Sequence, residues 1–139
     1  MPVDILWFIN RAYCRLIARD SVYGKGIVRR KLLKTIPDLF DYHSVLYIGA
    51  RASHFSFGLD FQKSGYEITV VEVFEKNAAY LRSLPWVHAI IEDDIRRVQL
   101  HRRYDVIFWW HGPEHVLESE ASLVLRALPS FANEIVVVG

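Results

Sequence analysis

Residues 44–49 of this chain read SVLYIG, a short apolar run that ends in a glycine. Four similar runs follow it, rich in β-branched residues and nearly continuous rather than alternating with polar residues. Continuous runs of this kind are typical of strands that are buried on both faces of a sheet. The four later runs are Glu67–Val73, Val87–Ile91, Tyr104–Trp110 and Glu134–Val138.

Helical patterns separate these runs. Apolar residues recur at helical spacing from Phe55 to Lys63, from Glu75 to Leu84 and from Glu114 to Leu128. The link from Ile91 to Tyr104 is shorter, and we expect only a turn or a small helix in it. Alternating strands and helices predict an α/β fold, with a mainly parallel, doubly wound sheet between two layers of helices.

Two helices are predicted before the first strand. One covers Asp4–Arg19, and the glycine-rich stretch Tyr23–Gly26 separates it from a second helix that ends near Pro37. The second helix carries a run of basic residues, which we interpret as its solvated face. We therefore expect one domain over residues 1–139, with a helical amino-terminal cap at 1–43 and a core at 44–139.

Composition excludes several classes of protein. The chain has 139 residues, of which 52% are hydrophobic and 24% are charged, and its net charge is +1. These values are typical of a globular domain and give no overall charge for binding nucleic acid or a membrane. The single cysteine, Cys14, excludes an intrachain disulfide framework and a multi-cysteine zinc site. No apolar run is long enough for a membrane span, and the start of the chain lacks a basic signal-peptide region, so we expect a cytoplasmic protein.

The informative residues follow the strands, because a doubly wound sheet binds ligands beyond the carboxyl ends of its strands. A tight turn, Gly49–Ser53, follows the first strand and brings backbone amides towards that edge. Glu72 lies near the end of the second strand, where a carboxylate can accept two hydroxyl hydrogen bonds from a ribose. Glu92–Ile95 follows the third strand, and Trp109–His115 lies at the end of the fourth.

This ordered set resembles the class I S-adenosylmethionine-dependent methyltransferases, over roughly Val45 to Gly139. The resemblance implies a three-layer Rossmann-like sheet in the order 3-2-1-4-5, with S-adenosyl-L-methionine as cofactor and S-adenosyl-L-homocysteine as product. It implies that Glu72 binds the ribose and that Val73 or Phe74 packs beside the adenine. Asp94, with Asp93 as its rival, would receive the adenine amino group. The remaining cofactor-binding residues that we expect are Gly49, Ala50, Arg51, Ser53, Ile95 and Trp110.

Two features depart from that family. Its loop usually reads acidic-x-Gly-x-Gly-x-Gly, and the four defined positions here hold Tyr47, Gly49, Arg51 and Ser53. Its sheet usually has seven strands, and only five runs are present here. These departures favour an alternative function, a non-catalytic module with this fold that binds a protein or a nucleic acid. The open edge of the fifth strand also leads us to hypothesise a homodimer.

The segment His111–His115 follows the fourth strand and carries the candidate catalytic groups. We expect His111, Glu114 and His115 to orient or deprotonate an unidentified methyl acceptor, since a histidine beside a carboxylate can remove a proton. The alternative is that Glu114 caps the following helix and His115 is a surface residue. The same segment matches the zinc pattern H-x-x-E-H, but Gly112 and Pro113 separate the histidines, so we predict no metal.

A nicotinamide-dependent oxidoreductase is a third hypothesis, because its related fold also explains Glu72. The G-x-G-x-x-G pattern is absent, since the three positions hold Gly49, Arg51 and His54. The sequence therefore favours methyl transfer over hydride transfer.

Overall fold

The computed structural model describes residues 28–50, 57–110 and 112–139. The helix predicted over Asp4–Arg19 and Cys14 lie outside the described residues, as do the candidate site residues Arg51, Ser53 and His111.

One parallel sheet forms the centre of the described chain. Its strand order is β3-β2-β1-β4-β5, and every pairing between neighbours is parallel. The predicted strands, their direction and their order are confirmed, with ends that differ from the predicted ends by two residues at most. The strands are β1 Ser44–Ile48, β2 Glu67–Val71, β3 Ala89–Ile91, β4 Tyr104–Trp109 and β5 Ala132–Val138.

Four helices are described. Helix α1 covers residues 28–35, and α2 (Gly58–Lys63), α3 (Glu75–Arg82) and α4 (Glu118–Ala127) follow the first, second and fourth strands. The link between β3 and β4 contains only a turn at residues 95–97, as expected from its length. A short 3₁₀ helix, Leu128–Phe131, connects α4 to β5.

The predicted start of the last helix, at Glu114, is wrong. Pro113–His115 forms a separate 3₁₀ turn, and α4 begins at Glu118. The reason is that Val116 and Leu117 have extended backbones, with ψ of 158° and 145°. The carboxylate of Glu120 accepts the Leu117 amide at 3.2 Å. Glu120 therefore caps this helix, which was the role left open for Glu114.

Alternation along β1 divides its side chains between the two faces of the sheet. Val45 and Tyr47 pack on the face that α1, α2 and α3 cover, against buried residues such as Phe61. Leu46 and Ile48 pack on the opposite face, in the cluster that also holds Val124 of α4. Each fully buried aliphatic side chain contributes about 1.5–3 kcal/mol. The two apolar faces thus explain why the strand runs are continuous.

Asp105 ties three segments together at the amino-terminal edge of the sheet. Its carboxylate accepts the amides of His43 at 3.1 Å and Ser44 at 3.0 Å, and the Asn133 side-chain amide at 2.9 Å. These hydrogen bonds, the one from Asn133 foremost, lower the pKa of Asp105. The network aligns β1, β4 and β5 at the edge opposite the predicted site.

Among the described residues, no helix is long and apolar enough to cross a membrane.

Candidate functional site

A cavity of about 360 Å³ opens at the carboxyl ends of β1 to β4. This is the edge where the sequence predicts the site, and the volume is within the usual range for small-ligand cavities. The cavity collects residues from the segments that follow these strands. They are Ile48, Gly49, Val71, Glu72, Val73, Phe74, Asp93, Asp94, Ile95, Arg96, Trp109, Gly112, His115 and Val116.

Gly49 makes the turn after β1. Its φ is +76°, a left-handed backbone conformation that glycine adopts without strain. Its amide donates to the carbonyl of Val71 at 2.9 Å, which fixes the turn against the end of β2. Ala50, the next residue, is fully buried in the core and does not line the cavity.

Glu72 is the buried carboxylate of the site. It follows β2 directly, and only 3% of its surface is exposed. Its Oε1 accepts the amide of Phe74 at 2.8 Å, and its own amide donates to Ile91 at 3.0 Å. Burying an ionised carboxylate is costly unless polar partners compensate for it. A buried carboxyl group held at the wall of a cavity is therefore a strong candidate for binding a ligand.

Val73 and Phe74 are the exposed apolar residues of the same wall. They are 51% and 56% exposed, although both follow a strand whose last four residues are buried. Both line the cavity. They present an apolar surface beside the Glu72 carboxylate, as a flat, partly hydrophobic ligand requires.

Asp93 and Asp94 line the cavity from the loop after β3. Each aspartate pairs with an arginine, Asp93 with Arg97 at 2.8 Å and Asp94 with Arg96 at 2.5 Å. The Asp94 side chain is 17% exposed and that of Asp93 is 35% exposed. The hydrogen bonds from Arg96 lower the pKa of Asp94 to about 2, and Arg97 also lowers the pKa of Asp93. Both carboxylates therefore stay ionised at neutral pH, and Asp94 is the more enclosed.

The loop after β4 forms the facing wall, but with a different tryptophan from the predicted one. Trp109 lines the cavity. Trp110 packs on the other face of the sheet, with ring centroids 5.7 Å from Phe108 and 5.6 Å from Phe57. Adjacent residues at a strand end point to opposite faces, and Trp109 shares the face of the cavity-lining residues Ile48 and Val71.

The candidate catalytic residues are only partly brought together. His115 lines the cavity, whereas Glu114 does not. Their side chains are 61% and 51% exposed, and His115 Nε2 lies 3.8 Å from Glu114 Oε1. No group of three or more potential metal ligands forms within the described ranges.

Arg96 lines the cavity without having been predicted, whereas Trp109 and Gly112 line it from the segment Trp109–His115 without having been named as cofactor-binding residues. Gly112 has a sequence signal, because glycine beside proline after a strand indicates a constrained turn. Arg96 has none, because its role depends on a partner in another element, Glu120 of α4.

The fold is similar to that of solved structures, although the sequence matches no protein-family model. No curated protein matches the chain either. The magnesium protoporphyrin IX methyltransferase ChlM from Synechocystis PCC 6803, solved with bound SAM, is 18% identical with a TM-score of 0.61. That match covers 81% of this chain and 56% of ChlM.

Two further solved structures are similar. The DhpI–SAH complex is 14% identical with a TM-score of 0.65, over 90% of this chain and 64% of DhpI. The plantazolicin methyltransferase BpumL, in complex with a pentazolic desmethylPZN analog and SAH, is 15% identical with a TM-score of 0.68. That match covers 91% of this chain and 51% of BpumL. The chain thus spans about half to two thirds of these proteins, and it has the Rossmann-like fold of the class I S-adenosylmethionine-dependent methyltransferases.

Proposed function

We propose that the cavity binds S-adenosylmethionine and that the protein transfers its methyl group to an acceptor, as a full or reduced methyltransferase. The observation that carries the proposal is that a buried carboxylate, Glu72, lines one cavity together with exposed Phe74 and enclosed Asp94. Glu72 would accept hydrogen bonds from the ribose hydroxyls, Phe74 would provide an apolar surface, and Asp94 would accept a hydrogen bond from the adenine amino group. All three lie at the sheet edge where this fold binds ligands. The solved neighbours ChlM and BpumL hold SAM and SAH respectively, which supports the same cofactor here.

The described residues fit the nucleoside part of this cofactor. Glu72, held by the Phe74 amide, would bind the ribose hydroxyls, and Val73 and Phe74 would pack beside the adenine. Gly49 provides a turn that lets the ligand approach the backbone. Arg51 and Ser53 remain predicted contacts to the methionine end, outside the described residues. When bound, the cofactor supplies an electrophilic methyl group, so the protein has chiefly to align an acceptor and exclude water.

His115 is the described residue best placed to contact the acceptor. It lines the cavity from the loop after β4, and its amide donates to Gly112 at 3.0 Å. An imidazole there would orient the acceptor or take its proton. His111 and Glu114 remain predicted partners in this step. The acceptor itself is unidentified.

A non-catalytic module is the second candidate function, and one observation favours it. Tyr47 occupies the position where the family has an acidic residue, and it is fully buried, with its ring 5.2 Å from that of Phe108. The carboxylate that would hold the cofactor amino group is therefore replaced by a core aromatic. In this case the fold would serve a protein or nucleic-acid partner.

A homodimer and a cytoplasmic location belong to the same proposal. β5 is an edge strand of the described sheet, and its Val138 is 40% exposed. Pairing with a second copy would cover that edge. Sedimentation velocity at increasing concentration tests the dimer, and a single monomer species throughout contradicts it.

The proposed cofactor site is tested by calorimetric titration of S-adenosylhomocysteine into the wild type, Glu72→Gln and Glu67→Gln. The control Glu67 begins the same strand at the opposite end and pairs with Arg102 at 2.6 Å. We expect Glu72→Gln to weaken binding by about tenfold or more, because hydrogen bonds to a charged group are lost, and Glu67→Gln to leave it unchanged.

Two results would contradict the proposal, one at the level of a single residue and the other at the level of the whole site. Equal affinity for all three proteins refutes the ribose role of Glu72. Absence of binding by the wild type, with a folded circular dichroism spectrum, refutes the cofactor site and favours the non-catalytic module.

A further inference from the structure

Arg96 holds the carboxylate of Asp94 through three N–H groups. Its backbone amide donates to Oδ1 at 2.9 Å, its Nε lies 3.0 Å from both Oδ1 and Oδ2, and its Nη2 donates to Oδ2 at 2.5 Å. A carboxylate has about four acceptor positions. Arg96 donates three protons, and the Nε proton is shared between the two oxygens. The carboxylate therefore has the capacity to accept about one more hydrogen bond.

The same guanidinium is anchored from the other side. Its Nη1 lies 3.1 Å from both carboxylate oxygens of Glu120, in the first turn of α4. Glu120 in turn accepts the Leu117 amide, so its own side chain is fixed to the start of that helix. Arg96 thus connects the loop after β3 to the helix that follows the facing wall. A planar guanidinium held by two carboxylates has little freedom to rotate.

We propose that Arg96 is a positioning residue that directs the one remaining acceptor position of Asp94 at the nucleobase, so that the cavity selects a 6-aminopurine over a 6-oxopurine. The inference rests on the proposed function and adds to it the source of base selectivity. An adenine amino group donates a hydrogen bond to that position. A 6-oxo group is itself an acceptor. Its oxygen and the Asp94 oxygen would therefore be in contact with no hydrogen bond between them.

The neighbouring pair provides a matched control. Arg97 binds Asp93 through Nε at 2.8 Å, one residue away on the same loop, but its side chain is 76% exposed. Among the described residues, the Arg97 side chain pairs with Asp93 and with no residue of α4. Removing Arg97 therefore removes a similar charge and ion pair without releasing Asp94.

The test compares the affinities of S-adenosyl-L-homocysteine and S-inosyl-L-homocysteine, which differ at the 6-position of the purine. Calorimetry gives the ratio for the wild type, Arg96→Met, Arg96→Lys and Arg97→Met. We expect the wild type to prefer the adenosyl ligand by about tenfold or more, and Arg97→Met to keep that ratio. We expect the ratio in Arg96→Met to fall to about threefold or less, because Asp94 is no longer held in one orientation.

Arg96→Lys separates geometry from charge. A lysine keeps the positive charge but not the planar fork, so its ratio should also fall. A role in stability alone would weaken both ligands equally and leave the ratio unchanged in every variant.

The outcomes distinguish failure of this inference from failure of the proposed function. A wild-type ratio that survives in Arg96→Met overturns this inference and leaves the cofactor site standing. A wild type that binds both ligands equally also overturns it. Failure of the folded wild type to bind either ligand overturns the proposed function together with the inference.

Discussion

A β-carbon placed on Gly112 would lie 2.0 Å from Nε1 of Trp109 and 2.6 Å from its Cδ1. Both residues line the cavity, and the Trp109 indole is buried. The loop after β4 therefore passes so close to this indole that only a residue without a side chain fits. The position of one cavity wall depends on this contact.

Gly112→Ala is expected to displace Trp109 or the loop, and so to weaken S-adenosylhomocysteine binding by about tenfold or more, since small misplacements in a site are costly. The control is Gly65→Ala, where φ is +76° and a β-carbon meets nothing within 4 Å. That variant should lose about 1 kcal/mol of stability by backbone strain and keep its affinity. Equal affinities for Gly112→Ala and the wild type contradict the assignment of this wall.

Phe74→Ala is expected to weaken S-adenosylhomocysteine binding by about fivefold or more, because a ligand base loses an aromatic surface. The thermal midpoint should change little, because Phe74 is 56% exposed. Leu59→Ala, at a side chain that is 50% exposed on α2 and outside the cavity, is the control for a general loss of apolar surface. Unchanged binding in both variants contradicts the adenine position.

Tyr66→Phe is expected to lower the free energy of unfolding by about 1–3 kcal/mol, because a buried carbonyl and a partly buried amide each lose a hydrogen bond. The Tyr66 hydroxyl donates to the Leu39 carbonyl and accepts the Tyr42 amide at 3.1 Å. Burial raises the pKa of Tyr66 to about 12, so the hydroxyl stays protonated at neutral pH. Urea unfolding measures the change. Tyr80→Phe, at a side chain that is 39% exposed, should change stability by less than about 0.5 kcal/mol.

Asp105→Asn is expected to lower stability near pH 7 by about 1–2 kcal/mol through weaker hydrogen bonds to His43, Ser44 and Asn133. The folded state lowers the pKa of Asp105, so its contribution is present above the unfolded value of about 3.9 and is lost as pH falls through the folded value. The difference in free energy of unfolding between the variant and the wild type should therefore become smaller below about pH 4. Urea unfolding at several pH values measures it, and a difference that is constant with pH contradicts the role of the charge.

The sheet was predictable because its signal is local and repeated. Runs such as residues 44–48 are buried on both faces, so nearly every position is apolar and the strands stand out from the amphipathic helices between them. The place of Glu72 at the cavity was predictable for a related reason, since a carboxylate directly after such a run lies at the carboxyl edge of the sheet.

Other features depend on contacts that the sequence does not display. Trp109 lines the cavity in place of Trp110 because it lies on the face of the sheet that packs with α4, and the sequence does not show which face carries the cavity. The extended backbone of Val116 and Leu117 delays α4 to Glu118, although the local pattern continues from Glu114. The bridge from Arg96 to Glu120 joins residues 24 positions apart, and only the folded chain brings them together.

The most direct test of the central claim is a titration of the ¹⁵N-labelled wild type with S-adenosylhomocysteine, followed by the amide NMR spectrum. The account predicts saturable shifts at Gly49, Glu72, Phe74, Asp94 and Gly112, with the opposite edge of the sheet around Asp105 unchanged. A folded spectrum without shifts, or shifts confined to other parts of the chain, would contradict a cofactor site in this cavity.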